Sequence, residues 1–106
     1  MPKRFAALII VFILSTNVVL AQQIAYLKGK VTNAKGKGLD AVTVAVVGTS
    51  IGTSTDRKGI YQLEVPAGAE VTLAFSFVGF ETQMQTMTLL NGEAKEIDIQ
   101  LKEEAK

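Results

Sequence analysis

The sequence predicts an all-β fold, a seven-stranded antiparallel sandwich preceded by a signal-peptide helix. Three observations support this prediction. The chain of 106 residues opens on a continuous apolar run. After that run, apolar and polar residues alternate with the period of two that is typical of half-buried strands. Turn residues recur about every 8–12 positions, and no helical period follows the opening segment. This length favours one domain.

The first segment has the three parts of a secretory signal peptide. Two basic residues precede an unbroken apolar run from Phe5 to Leu14. Val19 and Ala21 match the small-residue pattern that signal peptidase cleaves, so residues 1–21 are predicted to be removed and Gln22 to become the N-terminus. The alternative is an uncleaved membrane anchor, but the apolar run is shorter than the ~20 residues that a spanning helix needs.

Five segments of the mature chain have apolar side chains at every second position, which predicts that these side chains face one core. A sixth segment, from Phe80 to Leu89, changes phase along its length, and a bulge near Gln85-Thr86 would reconcile the two halves. A short strand is also expected after the loop from Gly48 to Thr55. The inward positions of the five regular segments are Leu27, Gly29 and Val31; Val42, Val44 and Val46; Tyr61, Leu63 and Val65; Val71, Leu73, Phe75 and Phe77; and Ile97, Ile99 and Leu101.

Three polar segments predict the connections between strands. Asn33 to Gly38 and the Asn91-Gly92 pair are expected to close hairpins. Asp56 to Gly59 fits a type I turn, with Asp at its first and Gly at its last position. The sandwich is expected to span residues 22–102, and residues 103–106 to form a charged tail.

The composition gives no support to catalysis, to a metal site or to a cofactor site. The sequence contains no His and no Cys, so thiol nucleophiles, disulfides and metal–thiolate sites are excluded. Ser76 resembles a nucleophile only in isolation, because it has neither a nucleophile elbow nor a histidine partner. Asp56 to Gly59 does not fit a calcium loop, since Arg57 and Lys58 occupy positions where oxygen ligands are needed. We therefore expect no catalytic, cofactor-binding or metal-binding residues, and no enzyme.

The charge balance also bears on partners. Lys3 and Arg4 leave with the signal peptide, so the mature chain has nine basic and ten acidic residues and a net charge of −1. This near-neutrality gives no electrostatic basis for binding nucleic acid or an anionic membrane.

The segment GTSIGTSTDRKGIYQLEVP, from Gly48 to Pro66, resembles the carboxypeptidase-regulatory-like domain, a transthyretin-like (prealbumin-like, Ig-like) sandwich. The resemblance continues through Phe75 to Gln83, Asn91-Gly92 and Ile97 to Lys102. That domain is found at the N-terminus of starch-utilisation-type TonB-dependent outer-membrane receptors of Bacteroidetes-type bacteria. Two positions depart from the family pattern: Gly38 stands where the family usually has Pro, and Ala41 where it usually has Gly.

The resemblance implies a non-catalytic accessory domain that is associated with TonB-dependent transport machinery and binds an envelope protein such as an outer-membrane transporter. It implies an exported protein, in the periplasm or at the periplasmic face of the outer membrane. Two alternatives are a small periplasmic glycan-binding protein and a truncated N-terminal fragment of such a receptor. The family supplies no catalytic residues to carry over.

Two surfaces are the candidates for binding a protein partner. The strand from Ile24 to Thr32 is a candidate sheet edge, because Lys28 and Lys30 are the kind of charge that protects edges. The same lysines weigh against docking at that strand, so protection and docking are both left open. The loop from Gly48 to Thr55 is small enough for close backbone approach. For a glycan ligand, Tyr26 is the candidate stacking residue.

Overall fold

A computed structural model describes residues 23–105 as an all-β domain. The predicted signal peptide (1–21) and its helix lie outside the described residues. Within residues 23–105 there is no helix of the length and apolarity that crossing a membrane requires. The strands are β1 (Ile24–Thr32), β2 (Thr43–Val46), β3 (Gly52–Ser54), β4 (Ile60–Pro66), β5 (Glu70–Ser76), β6 (Gln83–Thr88), β7 (Ala94–Glu96) and β8 (Ile99–Gln100).

The strands form two sheets that pack face to face, and the predicted sandwich is confirmed. The first sheet has the order β4-β1-β7, with β8 also paired to β1. The second sheet has the order β3-β2-β5-β6. The longest strand, β1, therefore lies in the middle of its sheet, between a strand from the centre of the sequence and strands from its end.

Two details of the sandwich differ from the sequence-based prediction. The described residues form eight strands rather than seven, and β7 and β8 pair parallel to β1 instead of antiparallel. The predicted last strand is divided at Asp98, whose Oδ1 accepts a hydrogen bond from the Lys30 amide (2.9 Å). The register with β1 continues across this interruption, since Lys28 pairs with Glu96 and Val31 with Ile99.

The hairpin predicted at Asn91-Gly92 is wrong as a strand pairing, and the one predicted at 33–38 closes only an isolated antiparallel bridge between Thr32 and Gly38. Asn91-Gly92 lies in a turn closed by the Glu93 amide and the Leu90 carbonyl (3.0 Å), yet β6 and β7 belong to different sheets. The segment 33–38 likewise leads from the first sheet to the second. These turns reverse the chain while it passes between layers, so the strands that they join do not become neighbours.

The predicted turn from Asp56 to Gly59 is confirmed. The Gly59 amide donates to the Asp56 carbonyl (2.9 Å), and the Asp56 carboxylate accepts from the amides of Ile60 and Lys58, both at 2.9 Å. The bond from Ile60 is the main cause of a lowered pKa of Asp56.

The core is formed by the inward faces that the alternation predicts. Leu73 and Phe75 on β5 are both 0% exposed, and the Phe75 ring meets Tyr61 edge-on with ring centroids 5.5 Å apart. The remaining buried apolar residues are Ala25, Leu27, Val31, Val42, Val44, Val46, Val65, Ala67, Val71, Leu89, Ile99 and Leu101.

Thr55 is the one buried polar residue among the described residues, and it fixes the chain just before β2. Its hydroxyl donates to the Leu39 carbonyl (2.5 Å) and accepts from the Val42 amide (2.9 Å). Between those two partners Ala41 has a φ of +62°, a left-handed conformation that favours glycine. The family resemblance implies glycine at this position, and glycine adopts this left-handed conformation without strain.

The predicted bulge in β6 is wrong. The pairing of β5 with β6 is uninterrupted from Glu70↔Thr88 to Phe75↔Gln83. The phase change disappears because β6 begins only at Gln83, and Phe80 belongs to the preceding turn. Met84 consequently faces outward and is 60% exposed.

Candidate interaction surface

The edge predicted from the sequence is not an edge. Because β1 is paired with β4 on one side and with β7 and β8 on the other, its backbone groups are used within the sheet. Lys28 and Lys30 are exposed on the outer face of the first sheet. Their charges do not protect a free edge, so this candidate for docking by backbone pairing is wrong.

Two long strands each end a sheet: β4, with seven residues, and β6, with six. β4 contains Glu64 and Pro66, residue types that protect an edge, so among the described strands β6 is the longest edge strand without a charge or a proline. It ends the second sheet and pairs only with β5. At the opposite edge of that sheet β3 has three residues and lies near β4, with which it forms no strand pairing. The end strands of the first sheet opposite β4 are β7, with three residues, and β8, with two. The free side of β6 is the site that we call the β6 edge, residues 83–88.

The β6 edge has no charged residue. Its sequence is QMQTMT, and Met84, Gln85, Thr86 and Thr88 are exposed. Natural edge strands are commonly protected by lysine, proline or a bulge, and β6 has none of these in its six residues. This edge was not predicted from the sequence, although the sequence carries a signal for it: the eleven residues from Thr82 to Gly92 include no charge and are bounded by Glu81 and Glu93.

The outer face next to this edge is also neutral. The four strands of the second sheet contain one charged residue, Glu70, at the first position of β5. Across β5 and β6 the hydroxyls of Thr72 and Thr86 are hydrogen-bonded at 2.9 Å. By contrast, the first sheet carries Lys28, Lys30, Glu64, Lys95 and Glu96. The sandwich therefore has one charged outer face and one neutral outer face, and the β6 edge adjoins the neutral face.

Five glutamates lie at the two ends of the β6 edge. Before β6, the Glu81 amide donates to the Lys102 carbonyl (2.8 Å), and this contact brings Glu103 and Glu104 to the same end. After β6, Glu93 accepts a bond from the Leu90 amide (2.9 Å), and Glu70 is paired with Thr88. The single lysine placed with the first group is Lys102. The neutral strand thus lies between two acidic ends.

The second predicted surface, the loop from Gly48 to Thr55, forms a tight turn and then β3. The Thr49 hydroxyl donates to the Val46 carbonyl (2.9 Å) and accepts from the Ile51 amide (3.0 Å). Ser50 and Ser54 are exposed, so both remain available to a partner. They lie on the side of the second sheet that is opposite to β6, so the structure does not join the two surfaces.

The remaining candidates from the sequence are separated from one another. Ser76 is half-buried at the end of β5, beside a cavity of about 590 Å³ that Thr43, Thr82 and Glu104 also line. Tyr26 is 47% exposed on the first sheet, beside a cavity of about 570 Å³. Within residues 23–105, no cluster of three His, Cys, Asp or Glu side chains has the spacing of a metal site.

These observations define the domain as a β-sandwich with one long, uncharged edge strand. The model of the CarboxypepD_reg-like domain family matches residues 27–106, and the chain belongs to this family. It is also similar to TonB-dependent receptor P3 of Formosa agariphila, with 33% identity over 82 residues. These residues cover 76% of this chain but only 8% of that receptor. The predicted resemblance to the family, in its TonB-dependent-receptor context, is confirmed.

Solved structures support the fold. A catechol 1,2-dioxygenase from Pseudomonas arvilla C-1 superposes with a TM-score of 0.63 and 13% identity, over 85% of this chain and 55% of that one. A chain of a type II cohesin–X-dockerin complex from Acetivibrio cellulolyticus gives a TM-score of 0.61 and 16% identity, over 73% of this chain and 56% of that one. At these identities the likeness shows the sandwich fold alone.

Proposed function

We propose that this chain is a non-catalytic interaction domain of the bacterial envelope that works with TonB-dependent outer-membrane transport machinery. The observation that carries the proposal is the β6 edge, an uncharged six-residue strand with a free side. Free edges accept a further strand from another protein through backbone hydrogen bonds. The family and the similarity to a TonB-dependent receptor support the choice of machinery.

The domain boundaries and the location are part of this proposal. Residues 1–21 direct export and are cleaved, residues 22–102 form the working domain in the periplasm or at the periplasmic face of the outer membrane, and residues 103–106 form a charged tail. N-terminal sequencing of the exported protein tests the boundary, with Gln22 as the expected first residue. Recovery of an intact Met1 in the inner membrane would contradict it.

The absence of turnover is proposed because the candidate nucleophile Ser76 has no histidine partner. The chain contains no His, and among the residues lining the Ser76 cavity the one carboxylate is that of Glu104. The purified chain is expected to leave ester and glycoside substrates unhydrolysed. Hydrolysis that is lost in Ser76→Ala would identify an enzyme instead.

Site-specific photo-crosslinking in intact cells tests the interaction. A photoreactive amino acid replaces Gln85 on the β6 edge in one strain and Lys28 on the outer face of the first sheet in the control strain. The expected result is an adduct from position 85, but not from position 28, with a TonB-dependent transporter or a component bound to it. Adducts from neither position, or from both equally, would contradict binding through the β6 edge.

Glycan binding is the second candidate, and the exposure of Tyr26 favours it. The ring lies beside a cavity that is also lined by Lys28, Gln62 and Glu64, so an aromatic face and polar side chains meet at one place. Calorimetric titration with maltoheptaose tests this role. Binding that is lost in Tyr26→Ala would support it, whereas no heat of binding at millimolar sugar would exclude this ligand.

A further inference from the structure

We infer that the β6 edge binds, by strand addition, an extended partner segment with an uncharged centre of about six residues and basic residues at both ends. This inference rests on the proposed function and specifies the chemistry of the partner. Three features of the described residues carry it: the length of the free strand, its lack of protection, and the acidic groups at its ends.

The length of β6 sets the length of the paired segment. Six residues of strand extend over about 20 Å, at roughly 3.4 Å per residue. Backbone groups on the free side of β6 have no strand next to them in the domain, because β6 is the last member of its sheet. A partner segment that is uncharged and extended over the same distance satisfies these groups without burying a charge.

The side chains of β6 do not oppose such pairing. Proteins that prevent an edge strand from pairing with another chain place lysine, proline or a bulge in it. β6 has no lysine or proline, and its register with β5 is regular over all six residues. Met84, which is 60% exposed, offers a flexible apolar side chain to a neighbouring strand. The neutral outer face continues the same surface onto β5.

The acidic ends determine the charge of the partner. Glu81, Glu103 and Glu104 lie before β6, and Glu70 and Glu93 lie after it. If a partner segment extends by two residues beyond the paired region at either end, those residues come close to these glutamates. Lysine or arginine at those positions gains attraction, while aspartate or glutamate is repelled.

The same charges argue against a second copy of this chain as the occupant. Antiparallel pairing of two β6 strands about a two-fold axis places the start of one strand against the end of the other. Glu81 of one copy then approaches Glu93 of its partner copy at both ends of the pair. Like charges across paired strands are destabilising, so a basic-ended segment of another protein fits this edge better.

Peptide binding to the purified full chain tests the inference. The probe is a fluorescein-labelled peptide, Lys-Lys-Thr-Val-Thr-Val-Thr-Val-Lys-Lys, and its two comparators have Glu-Glu ends or Pro in place of each Val. At low salt the Lys-ended peptide is expected to bind about ten-fold more tightly than the Glu-ended one, with the difference reduced at high salt. The Pro peptide is expected not to bind, because it lacks the amides and the conformation for pairing.

Variants of the chain separate the backbone contribution from the charge contribution. Gln85→Pro and Met84→Lys are expected to abolish binding, whereas Lys28→Glu on the other sheet leaves it intact. The double variant Glu81→Gln, Glu93→Gln is expected to reduce the preference for Lys ends to about three-fold or less. A urea melt of each variant verifies that it is folded. Met84→Lys changes only an exposed side chain, so it still tests the β6 edge if Gln85→Pro does not fold.

Two outcomes would overturn the inference and leave the proposed function standing. One is equal affinity for Lys-ended and Glu-ended peptides while position 85 still gives its crosslink in cells. The other is a dimer in sedimentation that Met84→Lys dissociates, since the edge then takes a second copy. Loss of the cellular crosslink at position 85 is a different result, and it would contradict the proposed function itself.

Discussion

The Tyr61 side chain lies close to Gly29, and the carbonyl oxygen of Ile97 is next to both residues. The two residues are opposite each other in the β1–β4 register. The Tyr61 hydroxyl donates to the Ile97 carbonyl (2.7 Å), and a Cβ added to Gly29 would overlap that same oxygen. Glycine at position 29 thus allows the segment between β7 and β8 to approach β1 closely and leaves room for the Tyr61 side chain.

The first prediction concerns this close approach. Gly29→Ala is expected to lower the free energy of unfolding by about 3 kcal/mol, because the added methyl displaces backbone rather than a flexible side chain. Urea melts measure the loss. Gly52→Ala is the matched control, since its Cβ would lie 3.0 Å from the Val44 carbonyl oxygen, and it is expected to cost at most about 1 kcal/mol. Equal costs for the two variants would show that the Ile97 contact is unimportant.

The second prediction concerns the Tyr61 hydroxyl. Burial, reinforced by the charges of Asp98 and Glu96, raises the pKa of Tyr61. Below about pH 10 the phenol is protonated in both the folded and the unfolded state. Above that pH the unfolded chain releases its proton while the folded domain retains it, so ionisation favours unfolding and stability falls as the pH rises.

Tyr61→Phe tests both roles of that hydroxyl. At neutral pH it is expected to cost about 1 kcal/mol, because the Ile97 carbonyl loses its donor. Between pH 10 and 12 the variant is expected to lose less stability than the parent chain, as measured by urea melts across that range. Tyr26→Phe, at an exposed tyrosine, is the control for the cost at neutral pH. Parallel stability curves for Tyr61→Phe and the parent above pH 10 would refute the assignment.

The third prediction concerns Ala41. Left-handed backbone costs an alanine about 1–2 kcal/mol, and glycine avoids this cost while losing somewhat more entropy on folding. Ala41→Gly is therefore expected to stabilise the domain by about 0.5–1 kcal/mol. Ala34→Gly, at an exposed alanine without positive φ, is expected to give no gain. A thermal melt in which both variants lose stability would contradict the account.

The fourth prediction concerns the core. Phe75→Ala removes a ring that is 0% exposed and contacts Tyr61 edge-on, so the expected cost is about 3–5 kcal/mol. In a domain with a total stability of about 5–10 kcal/mol, cooperative unfolding is expected to be nearly lost. Phe77→Ala, at a half-buried ring, is the milder comparison. A loss below about 1 kcal/mol for Phe75→Ala in urea would show that the ring contributes little to the core.

Those predictions depend on features that differ in how readily the sequence reveals them. The inward faces, such as Leu73 and Phe75, were predicted correctly because a period of two is a local property of the strand. The neighbours of β1 were not, because they come from residues 60–66 and 94–100, and no local pattern records that pairing. The Asn91-Gly92 turn was identified, but a turn sequence does not state whether the chain stays in its sheet.

The candidate site shows the same division. The sequence indicated Lys28 and Lys30 as edge protection, since charged strand residues are typical of edges. In the structure these lysines cover the outer face of a central strand instead, and the free edge carries glutamines, methionines and threonines. Which strand ends a sheet is a property of the whole topology, so the β6 edge became visible only with the pairing in place.

The parallel pairing of β1 with β7 and β8 has a mechanical consequence. Tension applied between residues 23 and 105 pulls β1 and β8 in opposite directions along their shared axis, so their hydrogen bonds resist together in shear. Tension between Glu70 and Thr88, which are paired at the open end of the β5–β6 hairpin, breaks the bonds one after another. Single-molecule pulling is expected to need a higher force for the first pair of attachment points, and equal forces would contradict this. The domain is therefore expected to resist force applied between residues 23 and 105, while β6 separates from β5 at a lower force.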